Sequence, residues 1–226
     1  MILGLIPARR GSRGVPGKNT RLLCGKPLVR WTFECAQAVP DLGRIVTSTD
    51  DDHVAALAYG MGIEVIHRPV QLARDDTPMS AVVAHALETY SDAEIVVLLQ
   101  PTSPLRTPAI VMRAIARLRS SDEPDSVVSV VPLPAAHSPE WVLRIKGDHL
   151  QIPEGIPTRR QDLEVGFIRD GTVYAFRVEA FRRTGSIYGE KCEPLVMEPS
   201  GSVSIDTEAD WSEAQRKMEA RLALVA

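Results

Sequence analysis

Aromatic residues are scarce, 5% of 226 positions, and there are three cysteines, Cys24, Cys35 and Cys192. So few rings argue against a surface that holds nucleic acid by stacking its bases. An odd, widely spaced set of cysteines implies neither a disulfide framework nor a zinc site. Charge of one sign is not in excess either: 26 Lys+Arg stand against 29 Asp+Glu, a net −3, without the basic surplus expected of a general nucleic-acid binder. Long apolar runs are missing. The apolar start, residues 1–6, gives way at once to Pro7-Ala8-Arg9-Arg10, which is too short for a membrane span or a signal peptide. The five histidines have no metal-ligand spacing, and no Gly-x-Ser-x-Gly elbow marks an acyl-transfer nucleophile. What remains is the expectation of a soluble, cytoplasmic, globular protein.

Turn-forming residues are plentiful by contrast, with 15 glycines and 17 prolines, which suits many short elements better than a helical bundle. Short apolar runs at 2–6, 44–47, 63–66 and 95–99 alternate with helix-period stretches at 27–38, 52–60 and 79–90. A further helix is marked by Val111, Ile115 and Leu118. Asp50 or Asp51 suits the N-cap of the 52–60 helix. The run 95–99 is apolar throughout, as in a central parallel strand buried on both faces. The pattern predicts an α/β fold with a doubly wound, mainly parallel sheet. Beyond it, 126–131, 141–145, 171–177 and 202–205 read as strands, and Trp211, Ala214, Met218 and Leu222 as one face of a final helix. Residues 132–170 are rich in proline and weakly periodic, so the expected organisation is one domain, 1–226, carrying this stretch as an inserted segment.

The first strand opens into a loop, 9–19, with four cations and three glycines. Glycines let backbone N–H groups turn toward an anion, and in a doubly wound sheet this loop lies at the ligand-binding edge. Clustered cations repel, by about 4 kcal/mol for a pair at 4 Å and an effective dielectric of 20, and a polyphosphate relieves that repulsion. Neither familiar phosphate motif is present. A P-loop would need Gly and Ser/Thr where Ser12 and Asn19 stand, and Gly11, Gly14 and Gly17 are spaced evenly rather than as a dinucleotide fingerprint. A solvated arginine-rich loop is the plainer alternative.

The string Ile6-Pro7-Ala8-Arg9-x-Gly11-Ser12-Arg13-Gly14-x-x-x-Lys18-Asn19 resembles the signature loop of the CMP-sialic acid synthetase (acylneuraminate cytidylyltransferase) family, which is related to the CMP-Kdo synthetases. The resemblance continues through Ser48-Thr49-Asp50, Arg68-Pro69 with Leu72, Ala73 and Asp75, and Gln100-Pro101-Thr102-Ser103-Pro104-Leu105-Arg106. It resumes at Arg160-Gln161-Asp162-Leu163, Gly171 and Tyr174 and ends at Ile205-Asp206-Thr207-Glu208. It implies a Rossmann-like nucleotidyltransferase fold and a Mg²⁺-dependent reaction of CTP with a sialic-acid-like sugar acid, giving a CMP-sugar and pyrophosphate. It also implies a homodimer that 132–170 helps to form, covering the acceptor site of the partner. A different acceptor on the same fold, or a non-catalytic nucleotide binder, are the alternatives. No nucleic-acid or membrane partner is expected.

By the same resemblance Arg9, Gly11, Ser12, Arg13, Lys18 and Asn19 would hold the nucleotide, with Lys18, Arg9 and Asp206 carrying the chemistry. Arg68, Met79 and Gln100 would complete the nucleotide side. Gln100, Thr102, Ser103, Arg106, Arg160, Gln161, Phe167 and Tyr174 would form the acceptor side. Arg160 suits a carboxylate, which guanidinium grips bidentately, although Arg159/Arg160 could equally be a surface pair. Phe167 and Tyr174 fit a pocket wall or core packing, and Asp206 a metal ligand or a helix cap. Three positions depart from the family pattern. Ser204 stands where a second metal-binding aspartate is usual, Ile168 where an arginine is usual, and Met79 where a small hydroxyl residue is usual.

Overall fold

The computed structural model describes residues 1–11, 14–120 and 123–224. Its strands are β1 (Ile2–Pro7), β2 (Leu22–Leu23), β3 (Lys26–Pro27), β4 (Arg44–Thr49), β5 (Glu64–His67), β6 (Ile95–Leu98), β7 (Ser126–Pro132), β8 (Arg144–Lys146), β9 (His149–Gln151), β10 (Phe167–Arg177) and β11 (Cys192–Val196). The helices are α1 (Leu28–Gln37), α2 (Asp52–Gly60), α3 (Met79–Thr89), α4 (Pro108–Leu118), α5 (Val178–Thr184) and α6 (Glu208–Ala223). Seven strands form one sheet in the order β11-β7-β10-β6-β1-β4-β5. Pairing is parallel except where β10 runs antiparallel to both β6 and β7, so the sheet is mixed and mostly parallel.

Both faces of the sheet are covered, as the alternation of side chains along its strands requires. Ile95, Val97 and Leu99 turn to the side carrying Phe33 of α1, Val54 of α2 and Ile115 of α4. Val96 and Leu98 turn to the other side, against Val83 and Leu87 of α3 and Phe181 of α5. A third cluster joins Trp211, Ala214 and Met218 of α6 to Val15, Leu23 and Ile205. That cluster presses the loop after β1 against the segment before α6, and so builds one side of the site.

Several expected elements take a different form. Residues 202–205 are extended but join no strand, because the Ile205 N–H donates to the Thr102 carbonyl of a loop. Residues 141–145 do not form one strand. Pro139–Trp141 is a 3-10 turn, and the short hairpin β8–β9 follows it. The edge strand β11, parallel to β7, was not expected, and neither was α5. The stretch from 133 to 166 consists of 3-10 turns and this hairpin, with Ile145, Leu150, Ile152 and Val165 largely exposed. Among the described residues no helix is long and apolar enough to cross a membrane.

Candidate active site

The carboxyl ends of β1, β4, β5 and β6 surround a cleft of about 340 Å³. Such a place is where ligands bind in open α/β sheets. The base of the first loop is held by the Ser48-Thr49-Asp50 run at the end of β4. The Ala8 N–H donates to the Ser48 carbonyl, the Thr49 hydroxyl donates to the Ala8 carbonyl, and the Arg10 N–H donates to Asp50. Asn19 ties the loop's far end back, donating from Nδ2 to the Arg9 carbonyl at 2.9 Å. Gly14 has no room for a side chain, since a Cβ there would lie 1.7 Å from the Asp206 carbonyl oxygen. A glycine at this position is what lets the loop reach the segment before α6.

Two of the loop's cations, Arg9 and Lys18, do not stand unrelieved. Arg9 Nη1 lies 2.5 Å from Asp75 Oδ1, and Lys18 Nζ lies 3.3 Å from Asp206 Oδ1 and 2.7 Å from the Ile205 carbonyl oxygen. Carboxylates therefore offset repulsion that the sequence alone left for a polyphosphate to relieve. Asp75 is thus a site residue that sequence reasoning left out, although it lay within the Arg68-to-Asp75 run.

Arg9, Gly11, Lys18, Asn19, Arg68 and Met79 line the cleft on one side. Gln100, Thr102, Ser204 and Asp206 complete it. Arg68 is almost wholly buried, donating from Nε and Nη2 to the Ser48 hydroxyl and carbonyl. Burial pulls its guanidinium down to about 10, which leaves it charged at neutral pH. Ser12 and Arg13, expected at the nucleotide, lie outside the described residues.

Other expected residues sit elsewhere. Arg106 does not reach the cleft. It is buried, and its guanidinium is occupied by the Thr172 carbonyl at 2.5 Å, the Gln100 carbonyl at 2.6 Å and the Thr32 hydroxyl at 3.1 Å. Burial lowers it to about 10 as well. Its contribution to the site is to hold Gln100. Ser103 is buried beneath the same loop, with its hydroxyl donating to the Asp170 carbonyl. Tyr174 belongs to the core, packed edge-on to Tyr188 at 6.3 Å between ring centroids, and burial raises its phenol above its ordinary value. Arg160 lines a separate cleft of about 390 Å³ with Leu133, Glu164 and Pro199, while Gln161 and Phe167 are exposed. On β10, Arg169 donates to the Tyr188 hydroxyl, so it turns to that ring rather than to Arg160.

A sequence model of the cytidylyltransferase family matches residues 3–190. The chain belongs to the cytidylyltransferase family. A CMP-N,N'-diacetyllegionaminic acid synthase of Legionella pneumophila is 34% identical, over 96% of each chain. An N-acylneuraminate cytidylyltransferase of Escherichia coli O18:K1:H7 is 28% identical over 93% of this chain, which spans half the length of that relative. The fold resembles a solved CMP:2-keto-3-deoxy-manno-octonic acid synthetase complexed with CTP, with a TM-score of 0.74, 18% identity and 97% of this chain and 99% of that one covered. For a cytidylyltransferase the arrangement has a direct chemical sense. Two cations on a glycine-rich loop face an amide and a carboxylate across a cleft at the sheet edge.

Proposed function

We propose that this cytidylyltransferase joins CTP to a sialic-acid-like sugar acid and releases pyrophosphate. The observation that carries the proposal is the convergence of Arg9 and Lys18 with Gln100 and Asp206 on one cleft, together with relatives named for legionaminic and neuraminic acids. An acceptor hydroxyl attacks the α-phosphorus. The new O–P bond forms as the bond to the β-phosphate breaks, pyrophosphate leaves with the electron pair, and the hydroxyl proton is released to water. Catalysis of this kind is mostly alignment and charge stabilisation. Arg9 and Lys18 exchange their carboxylate partners for phosphate oxygens, and Gln100, on the facing wall, orients the acceptor.

The residues of the cleft would suit a magnesium ion that takes few protein ligands, not an all-protein centre. Among the described residues no group of three or more His, Cys, Asp or Glu could hold a metal. Asp206 offers an open carboxylate, with the Ser204 hydroxyl 3.3 Å from its Oδ2. Mg²⁺ commonly takes one or two protein carboxylates and fills its shell with phosphate and water. Asp206 would hold it, and the ion would neutralise charge on the departing pyrophosphate.

A homodimer is part of the proposal, supported by the apolar side chains exposed on the inserted 132–170 stretch. A second reading keeps the chemistry and changes the acceptor to another sugar acid, a sugar phosphate or a phosphonate. Ser204, Ile168 and Met79, which depart from the family pattern, favour it. Pyrophosphate release from each of four nucleoside triphosphates with a panel of acceptors separates the two. Turnover of CTP with N-acetylneuraminate or a related acid supports the first. Turnover of CTP with none of the sialic-acid-like acids overturns it in favour of the second.

A further inference from the structure

Asp170 is a carboxylate inside the fold, 5% exposed, on the part of β10 that passes the cleft. Its neighbour Gly171 has a φ of +76°, and a Cβ there would stand 3.2 Å from Gln100 Oε1, 3.2 Å from Ser103 Oγ and 3.6 Å from Ser204 Oγ. The backbone is thus close to both walls of the cleft at this point. The Asp170 carboxylate accepts from the Ser202 hydroxyl at 2.7 Å, from the Thr172 hydroxyl at 2.5 Å and from the Thr172 N–H at 3.2 Å.

A buried carboxylate is costly unless donors and an opposite charge meet it. The cation is Arg106, which donates to the Thr172 carbonyl, so the two charges grip opposite ends of one residue. Neither lines the cleft, but each acts on it through a neighbour. Arg106 holds the Gln100 carbonyl, and Asp170 holds Ser202, in the same extended segment as Ser204 and Asp206.

We infer that Asp170 is a positioning residue for cytidylyl transfer. Through Ser202 it sets the 202–206 segment against Gln100, so that the triphosphate side and the acceptor side of the cleft keep one spacing. The inference rests on the proposed function for its chemistry. Alignment is steep in its effect, since a displacement of about 1 Å can cost roughly a hundredfold in rate.

The test compares Asp170→Ala, Asp170→Asn and Ser202→Ala in the full chain. Three readouts are needed: pyrophosphate release with CTP and N-acetylneuraminate, amide hydrogen exchange over 202–206 without ligands, and urea unfolding. Asp170→Ala and Ser202→Ala are expected to lower kcat about tenfold or more, with KM for CTP within about threefold, because the loop after β1 is untouched. Asp170→Asn should stay within about threefold of wild type, since its amide oxygen still accepts from Ser202. The Ile205 amide should exchange faster in the two alanine variants and not in the asparagine variant. Wild-type kcat and exchange in Ser202→Ala would overturn the inference, and so would a kcat loss in Asp170→Ala fully matched by lost folded protein. If the wild type turned over no sugar acid, the proposed function would fail by itself, and the exchange rates would still decide for or against Asp170.

Discussion

Lys18 and Asp206 meet across the mouth of the cleft, the ammonium 3.3 Å from one carboxylate oxygen and 2.7 Å from the carbonyl of the residue before it. One side chain thereby joins the loop after β1 to the segment before α6. The Lys18 side chain is mostly covered and Asp206 is 71% exposed, so the pair adds little to stability. Under the proposed function its value lies in presenting a cation to an incoming phosphate. Lys18→Ala is expected to lower kcat by about a hundredfold or more while the unfolding midpoint in urea barely moves. Near-wild-type turnover in that variant would remove Lys18 from the catalytic set.

Arg106 should behave in the opposite way. Its guanidinium serves three acceptors in different directions, and an apolar replacement takes the guanidinium donor from the Thr172 carbonyl and leaves the Gln100 carbonyl with only the Ser103 N–H. Arg106→Ala is expected to cost about 3 kcal/mol in urea unfolding. Arg106→Lys should recover only a minor part, because one ammonium cannot copy a planar fork. A loss of activity without a loss of stability would mean that Arg106 touches substrate after all.

The N-terminus of α6 gives a pH-dependent expectation. Thr207 and Asp210 form a capping box, and Asp210 Oδ2 also accepts from the Asp206 N–H at 3.1 Å. Partial burial alone would raise the Asp210 carboxyl. Hydrogen bonds from the Thr207 hydroxyl and from the N–H groups of Asp206 and Thr207, with the charge of Lys18, outweigh it and hold the group below the usual carboxylate range. A depressed carboxyl contributes stability above its unfolded value, about 3.9, and loses it as pH falls through the lower folded value. The stability difference between wild type and Asp210→Ala should therefore be about 1 kcal/mol and steady from neutrality to pH 5. It should shrink below pH 4. A difference that grew on acidification would contradict the assigned direction.

Local signals were enough wherever an element is specified by its own residues. The helix 52–60 was legible to the residue because Asp51 caps it, accepting from the His53 N–H, and its apolar positions repeat at helical spacing. The cleft was legible for the same reason, since Arg9, Lys18 and Gln100 occupy loops directly after or between strongly patterned strands and Asp206 stands just before the patterned helix α6. What escaped depends on distant partners. Ser202 to Ile205 has the composition of a strand, but its backbone is satisfied by Thr102 and not by a neighbouring strand. Cys192–Val196 pairs as an edge strand although Pro194 interrupts any alternation in it. Arg106 looked like a ligand-binding arginine after β6, and only Thr32 and Thr172, remote in sequence, turn it inward. No local pattern could have shown Asp170 gripping Ser202.

The inserted stretch supplies a prediction about assembly. Ile145 on β8 is 78% exposed and Leu150 on β9 is 59% exposed, on a hairpin too short to be stable in isolation. If a second copy covers this hairpin, light scattering at micromolar concentration should give twice the chain mass, and Ile145→Asp with Leu150→Asp should give the single mass with an unchanged circular dichroism spectrum. A wild-type protein of single mass would dismiss the dimer.

Ser204 offers the sharpest probe of the proposed magnesium ion. Its hydroxyl lies 3.3 Å from Asp206 Oδ2 and lines the same cleft, so an aspartate at 204 would set a second carboxylate beside the first. Two carboxylates that close repel each other, and the Lys18 ammonium on Asp206 offsets only part of that repulsion. A divalent cation relieves the remainder, which gives the added group a reason to tighten the ion. Ser204→Asp should lower the Mg²⁺ concentration for half-maximal rate by about tenfold, and calorimetric titration of Mg²⁺ into the CTP complex should show the same shift. At vanishing Mg²⁺ the variant should bind CTP more weakly than wild type, because the added negative charge then faces the triphosphate without an ion between them. Identical Mg²⁺ dependence in both proteins would place the ion away from position 204 and leave Asp206 with the role of anchoring Lys18.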